Sequence, residues 1–392
     1  MAPLTIVVCG ILGRSPYAGV AWQGLHYLEG FRRLGHDVWY LEDTGVWPFD
    51  LERNTVTDDP SYTLQFLARV MAWADFGDRW AYCAASRGGT VYGPAAAKLS
   101  SLLDRTDVLV NVTGGMLLRH EHSRIPVRVY LETDPVLAQL EVAQGNRSTI
   151  EALQVHTHHF SFGENLGSAD CWVPVERFHY QPTRQPVVVD WWSSGDGVGR
   201  GGATPLRLTT VATWRQSAKD IRWQGQILRW SKHEQFLKLL DLPRRSGHAF
   251  ELALTEADAG TLDRLAAHGW RLRDAIPLTV DILPYRAYIQ GSDAELTAAK
   301  EQYVAPCTGW FSDRSASYLA AGKPVVTQDT GFGRVLPTGR GLFAFRTVDE
   351  IPAAIETVAS DYETHARAAR ALAVEFFSAD VVLARLLADA GL

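Results

Sequence analysis

The sequence predicts an α/β protein built from two Rossmann-like, doubly wound domains. Apolar, β-branched runs that end in Gly or polar residues alternate along the chain with helical patterns, as they do in parallel sheets covered on both faces. The chain has 392 residues, which is more than a single hydrophobic core usually organises, so two domains are expected.

The first strand, helix and strand lie at the amino terminus. LTIVVCG predicts a buried strand, the next segment spaces Leu25, Leu28 and Phe31 as a helix that Gly35 caps, and HDVWYLED predicts the second strand. DVLVNVTGG and PVRVYLETDP predict two more strands. Ligands bind beyond the carboxyl ends of such strands, so GILGRSPYAG, LED, VTGG and ETDP are predicted to form one rim.

A change of composition separates the two predicted domains. Five glycines fall between positions 195 and 202, which indicates a flexible connection. A second series of strands and helices then begins with LRLTTVATW and continues through SKHEQFLKLLDLP, AFELALT and GWFSDRSASYLAAGKPVV. We predict domains over residues 1–190 and 206–365, followed by a carboxyl-terminal helix over 366–392.

Charge, apolar runs and cysteine spacing indicate which partners and which cellular location to expect. The formal charge of -6 implies no basic surface, so no nucleic acid partner is expected. The amino terminus lacks a signal-peptide pattern and no apolar run approaches the roughly 18 residues of a membrane span, which predicts a cytoplasmic protein without integral membrane association. The four cysteines are widely spaced, so we predict free thiols rather than a zinc site.

The end of the second half carries a more specific pattern. SASYLAAGKPVVTQDTGFG, together with the two α/β halves and the glycine-bearing loop after the first strand, resembles the GT-B fold glycosyltransferases, and more narrowly the bacterial "group 1" nucleotide-sugar transferases. The resemblance implies two domains facing a cleft, with the nucleotide sugar on the carboxyl-terminal domain, the acceptor on the amino-terminal domain and a last helix that crosses back. It implies sugar transfer to a small-molecule acceptor, with no cofactor and no metal.

The resemblance places the donor diphosphate at the loop GWFSDRS. There Gly309 would permit close approach, and the helix that starts after Ser312 would present N–H groups to an anion. Arg314 would add a permanent charge, and Ser315 belongs to the same predicted donor site. The alternative interpretation is that Ser312 or Asp313 only caps the helix and that the two aromatic residues belong to the core.

Other donor contacts follow from the same resemblance. The acid that holds the ribose in the family falls at Ser317, so Glu295 or Asp313 is predicted to take over the hydroxyl contacts. Arg215 matches an arginine that follows the domain's first strand. Lys232 matches a lysine at the next helix if AKDIRWQGQILRW is an inserted hairpin, and Lys219 is the candidate otherwise.

Candidate catalytic residues lie on the amino-terminal domain. Asp134 ends a buried strand, where the resemblance places the anomeric centre, and we predict it as general base or donor-orienting group, which favours inversion. Its alternative is a turn-forming Asp before Pro135. His26 is a second candidate base, and Gly13 and Arg14 are predicted to approach a sugar or phosphate.

Two other functions remain open at this stage. A sugar-nucleotide epimerase shares the architecture, and a non-catalytic sugar or nucleotide binder is also compatible with the pattern. A metal site at His156, His158 and His159 is disfavoured, because no carboxylate stands at a convincing spacing before Glu164. The oligomeric state is not predicted.

Overall fold

The computed structural model describes residues 2–193, 205–216 and 219–392. The five glycines of the predicted flexible connection lie outside these residues. The described chain forms two separate, mainly parallel sheets, with helices packed against them.

The first sheet has eight strands, in the order β10-β9-β8-β7-β1-β2-β5-β6. All of its neighbouring strands are parallel except β5 and β6. A separate two-stranded hairpin, β3 and β4, follows β2. The strand bounds are β1 Thr5–Cys9, β2 Asp37–Glu42, β3 Phe49–Asp50, β4 Thr55–Val56, β5 Trp80–Ala84, β6 Thr90–Tyr92, β7 Val108–Val112, β8 Val127–Glu132, β9 His158–Ser161 and β10 Tyr180–Pro182.

The second sheet has six parallel strands, in the order β15-β14-β11-β16-β17-β18. An antiparallel hairpin of β12 and β13 follows its first strand, as predicted for the segment before Lys232. The strand bounds are β11 Arg207–Thr213, β12 Ile221–Trp223, β13 Gln226–Leu228, β14 Ala249–Thr255, β15 Arg271–Asp274, β16 Ala294–Thr297, β17 Val325–Gln328 and β18 Leu342–Phe345.

Helices connect the strands of both sheets. The bounds of those in the first half are α1 Ala18–Arg33, α2 Ser61–Trp73, α3 Leu99–Asp104, α4 Leu137–Ala143 and α5 Arg147–Gln154. Those in the second half are α6 His233–Lys238, α7 Ala259–Ala267, α8 Ile276–Thr279, α9 Ile282–Gln290, α10 Glu301–Val304, α11 Asp313–Ala320, α12 Glu350–Ser360, α13 Tyr362–Leu372 and α14 Ala379–Asp389. In the described part of the chain, no helix combines the length and apolar character needed to cross a membrane.

The chain order of the strands reverses at the centre of each sheet. β1 lies between β7 and β2, and β11 lies between β14 and β16. Loops that leave the carboxyl ends of neighbouring strands diverge at such a point and leave a crevice for ligands. The predicted fold class, two doubly wound halves, is therefore confirmed.

The two halves contact each other beside these crevices. The indole N–H of Trp310 donates to the carbonyl of Thr133 at 2.9 Å, and that of Trp22 donates to the carbonyl of Ile282 at 3.0 Å. The last helix, α14, packs on α1, where a Cβ on Gly30 would stand 2.5 Å from a methyl carbon of Leu383. Only glycine allows this close approach. The predicted domain boundaries themselves stay predictions.

Candidate functional site

A cavity of about 480 Å³, here called the cleft cavity, lies between the two sheets. The first half contributes residues after β1 and β8, and the second half contributes the end of β11, the segments after β14 and β16, and the start of α11. Among these are the ends of β1 and β11, at which the chain order reverses, as expected for a ligand site. The charged residues in its lining are Asp134, Lys232, Glu256, Lys300, Asp313 and Arg314.

Lys232 brings its side-chain nitrogen to the cleft cavity. It precedes α6, is partly buried, and its Nζ lies 5.5 Å from the ring centroid of Trp310. In the described part of the chain, no carboxylate forms an ion pair with it. Burial, followed by repulsion from Arg314 and Lys300, lowers the pKa of Lys232 well below its ordinary value. A bound anion would stabilise the charged form, because it would supply the missing counter-charge. Lys219, the alternative candidate, lies in the lining of a neighbouring cavity.

Arg314 reaches the cleft cavity, but its guanidinium group is held by the protein. Its Nε donates to Glu295 at 2.6 Å, and its terminal nitrogens donate to the carbonyl of Val211 at 2.6 Å and the hydroxyl of Thr297 at 2.7 Å. Glu295 is 0% exposed and does not line the cavity. The predicted contact of Glu295 with donor hydroxyls therefore does not fit this structure, because Arg314 lies on it. Much of the charge of Arg314 is balanced internally.

The start of α11 faces the cleft cavity, as predicted. Ser312 precedes the helix without a side-chain cap hydrogen bond, and Asp313 is its first residue. Burial, with repulsion from Asp134 opposing ionisation further, raises the pKa of Asp313 to about 7. Ser315 differs from its prediction, because it is 0% exposed and lies outside the cavity lining.

Asp134 lines the cleft cavity and contacts residues of the second half of the protein. Its Oδ1 accepts hydrogen bonds from the ammonium of Lys300 at 2.8 Å and from the hydroxyl of Tyr303. Its side chain keeps 38% exposure. Burial opposes ionisation, but Lys300 and Tyr303 outweigh it, so that the pKa of Asp134 falls below its ordinary value. Burial lowers the pKa of Lys300 to about 8, against the opposing effect of Asp134.

The glycine loop after β1 binds an internal carboxylate. The N–H groups of Gly13 and Arg14 donate to Glu42 at 2.7 and 2.6 Å, and Glu42 is 0% exposed. The predicted approach of Gly13 to a ligand is therefore not supported: the residue is buried, and Glu42 takes the place that an outside anion would have. The exposed side chain of Arg14 borders a second cavity.

His26 belongs to a buried aromatic cluster. The imidazole is 3% exposed and lies 5.7 Å from the ring of Trp22 and 6.0 Å from that of Trp192, measured between centroids. Burial, followed by the charge of Arg33, lowers the pKa of His26 to about 3. Because His26 does not line the cleft cavity, its position argues against the predicted role as a base.

Arg215 and Gly309 also lie away from the cleft cavity. Arg215 is exposed and is not among its lining residues. Gly309 has φ +78°, and a Cβ there would lie 2.9 Å from the backbone nitrogen of Asn165. Gly309 thus permits two protein segments to approach each other, which corrects the predicted approach to a donor.

The three neighbouring histidines have structural partners. His156 contacts the amide of Asn111 at 3.1 Å and the carbonyl of Ala152 at 2.9 Å, and His159 contacts the carbonyl of Leu153 at 3.0 Å. No group of three or more potential metal ligands occurs in the described ranges. That the activity is independent of metal stays a prediction.

A second cavity of about 540 Å³, here called the first-half cavity, adjoins the cleft cavity. It lies almost entirely on the first half of the chain. The two cavities share Ile11, Ser15, Thr113, Thr133 and Asp134. Asp134 therefore stands at the junction between them.

Sequence reasoning missed Lys300 and Tyr303. Both follow β16: in AELTAAK the buried strand ends at Thr297, and Lys300 lies three residues beyond it. The rule that ligand contacts lie beyond strand ends, which placed ETDP on the predicted rim, would also have identified Lys300.

The comparisons with known proteins identify the fold. No protein-family model and no curated protein matches the sequence. Among solved structures, the chain is similar to Anabaena HepE in complex with UDP and glucose, at 12% identity and TM-score 0.58, with 98% of this chain and 100% of that chain covered. It is also similar to AviGT4, a glycosyltransferase involved in avilamycin A biosynthesis, at 14% identity and TM-score 0.53, with 99% and 97% covered.

One neighbour overturns an expectation drawn from composition. An α-glucosyltransferase in complex with UDP and DNA matches at 10% identity and TM-score 0.56, with 100% of each chain covered. A protein of the same architecture thus holds DNA, so the expectation that nucleic acid is excluded as a partner was wrong. Net charge does not describe the local potential of a cleft. What these neighbours establish for this chain is the GT-B fold, in which two Rossmann-like domains face a cleft.

Proposed function

We propose that this protein is a glycosyltransferase, which moves a sugar from a nucleotide-sugar donor in the cleft cavity to a small acceptor in the first-half cavity. The observation that carries the proposal is the side-chain nitrogen of Lys232, which has no carboxylate ion pair among the described residues and lies in a cavity that also receives the start of α11. A helix start and a lysine whose charged form a bound anion would stabilise together suit a ligand such as a diphosphate. Neighbours of the same fold with UDP or UDP-glucose support the same assignment.

The reaction breaks the bond between the anomeric carbon and the diphosphate oxygen and forms a bond to an acceptor hydroxyl. Lys232 and the first N–H groups of α11 would stabilise the charge that develops on the leaving diphosphate. The charge of Arg314 is largely neutralised by its ion pair with Glu295, so Arg314 would mainly hold the start of α11 in position. Lys232 would therefore be the principal cation that stabilises the diphosphate in the donor site.

Asp134 would act on the acceptor hydroxyl, and its position at the junction of the two cavities supports this role. Its pairing with Lys300 keeps it ionised and able to accept the hydroxyl hydrogen. A base on the face opposite the leaving group would give inversion at the anomeric carbon. NMR of the product's anomeric configuration tests this step, and a retained configuration would exclude Asp134 as the base.

The size of the first-half cavity supports a small acceptor. Sites for small molecules usually measure about 300 to 1,000 Å³, and this cavity measures about 540 Å³. A cytoplasmic location and independence of metal and cofactor complete the proposal.

The test follows nucleoside diphosphate release from a panel of nucleotide sugars, with and without hydroxylated acceptors. The proposal predicts release that depends on an acceptor and that falls in Lys232→Met. Conversion of the donor to an epimer without an acceptor would instead identify the epimerase alternative. If no nucleotide sugar is bound or consumed, the proposal fails.

A further inference from the structure

The first-half cavity contains a buried carboxyl group that no step above uses. Glu132 is the last residue of β8, lines this cavity and is 3% exposed. Its Oε2 accepts hydrogen bonds from Nε2 of Gln139 and from the hydroxyl of Ser161, each at 2.7 Å. Its Oε1 is buried and has no hydrogen-bond partner among the described residues.

The surrounding contacts fix both donors to Oε2. Gln139 uses its Oε1 to accept the N–H of Val136 at 2.7 Å, so its Nε2 must face Glu132. The hydroxyl oxygen of Ser161 accepts the N–H of Gly163 at 3.0 Å, which leaves its hydrogen free for Glu132. A proton on Oε2 would clash with the hydrogens that Gln139 and Ser161 donate to that oxygen. When Glu132 is protonated, the proton must therefore lie on Oε1.

Glu132 binds that proton at neutral pH. Burial raises its pKa to about 8, against the opposing hydrogen bonds from Ser161 and Gln139. The negative charge of Asp134 raises it further. The other titratable groups that interact with Glu132 are Tyr130, Tyr180 and Tyr303, all with pKa values raised mainly by burial. In the described chain, no cation is among the groups that shift Glu132.

We infer that Glu132 is an acceptor-binding residue, whose Oε1–H donates a hydrogen bond to an oxygen of a polyhydroxylated acceptor, such as a sugar or cyclitol. An unpartnered buried donor is costly, and a ligand oxygen would remove that cost. The rest of the wall suits the same class of ligand, since six serine and threonine side chains line the cavity. They are Ser15, Thr44, Thr113, Thr133, Ser148 and Thr149.

This inference rests on the proposed function, because it treats the first-half cavity as the acceptor side. It adds a requirement that the proposed function does not contain, namely a neutral carboxyl group. A carboxylate at this position would accept a hydrogen bond from the ligand, whereas the neutral acid donates one. The two protonation states therefore predict different effects of Glu132→Gln on ligand affinity. If Glu132 is neutral, the glutamine N–H replaces its donor and affinity is kept; if Glu132 is ionised, the ligand loses its acceptor and affinity falls.

The test uses myo-inositol and methyl β-D-glucopyranoside as probes, titrated by ligand-observed NMR into the full chain saturated with a nucleoside diphosphate. Glu132→Gln keeps a neutral donor in place of Oε1–H, so we expect probe affinity within about threefold of wild type. Glu132→Leu loses it, so we expect roughly tenfold weaker binding, the value of one buried hydrogen bond. Glu151→Gln, on the exposed face of α5, is the control for loss of a carboxylate.

A pH series provides a second test that does not need the leucine variant to fold. In wild type, probe affinity should fall as the pH rises through about 8, because Glu132 then loses its proton. In Glu132→Gln, this fall should disappear. Tight probe binding to Glu132→Leu, equal pH profiles, or no probe binding to a wild type that binds nucleoside diphosphate would each overturn the inference. Failure of every nucleoside diphosphate to bind would instead remove the proposed function.

Discussion

Replacing Lys232 with methionine removes the one cleft cation for which the described chain offers no carboxylate partner. Methionine keeps most of the apolar stem that packs near Trp310 and deletes the charge. A hydrogen bond from a charged group contributes about 1.5 to 3 kcal/mol. We therefore expect the affinity for a nucleoside diphosphate to fall about 10- to 150-fold.

The effect on stability should have the opposite sign. Burial lowers the pKa of Lys232, which means that the folded protein disfavours the charged form relative to the unfolded chain. The charged lysine therefore costs stability below its unfolded pKa, and methionine removes that cost. We expect an unchanged or higher melting temperature for Lys232→Met without ligand.

Isothermal titration calorimetry of wild type and variant with one nucleoside diphosphate measures the affinities. Lys238→Met is the matched control: it makes the same change on α6, outside the cleft lining, at a lysine whose Nζ donates to Gln235 at 3.0 Å. Its affinity should stay within about twofold of wild type. An unchanged affinity in Lys232→Met, or an equal loss in Lys238→Met, would refute the assignment of Lys232 to the diphosphate.

Three further predictions concern residues of the segment GWFSDRS. Arg314→Met leaves Glu295 buried without its partner and should lower the free energy of unfolding by about 3 to 5 kcal/mol in urea denaturation, and a loss below about 1 kcal/mol would contradict the ion-pair argument. Nucleoside diphosphate affinity should fall as the pH rises through about 7, because Asp313 ionises beside the ligand; titrations of Asp313→Asn should show a flatter profile, and equal slopes would exclude Asp313 as the cause. Gly309→Ala should destabilise the protein by about 2 to 4 kcal/mol through its positive φ and the contact with Asn165, and an unchanged melting temperature would contradict it.

The fold could be predicted because its signals are local. LTIVVCG and AFELALT are buried parallel strands that read as continuous apolar runs, and Gly35 ends α1 at φ +89°. The strand-end rule then placed the segment ETDP, with Asp134, on the cleft without knowledge of which strands are neighbours, and the family resemblance placed the start of α11 there. Lys232 also lies there, on the condition of a hairpin that the structure contains.

The tasks of individual side chains could not be predicted, since they depend on contacts between distant segments. Arg314 lies on the cleft, but nothing in GWFSDRS shows that Glu295 of another strand takes up its charge. Gly309 meets Asn165, which is far away in sequence. The glycine loop was predicted for a ligand, whereas its N–H groups bind Glu42.

The central claim is that the cleft cavity binds the diphosphate of a nucleotide sugar, and a thermal-shift panel on the wild type tests it most directly. The panel compares common nucleoside diphosphates with the corresponding nucleosides. Binding at 100 times the dissociation constant stabilises the folded state by about 2.7 kcal/mol. We predict that at least one diphosphate raises the melting temperature while its nucleoside at the same concentration does not. If no diphosphate raises it, or if nucleoside and diphosphate act equally, the cleft is not a diphosphate site.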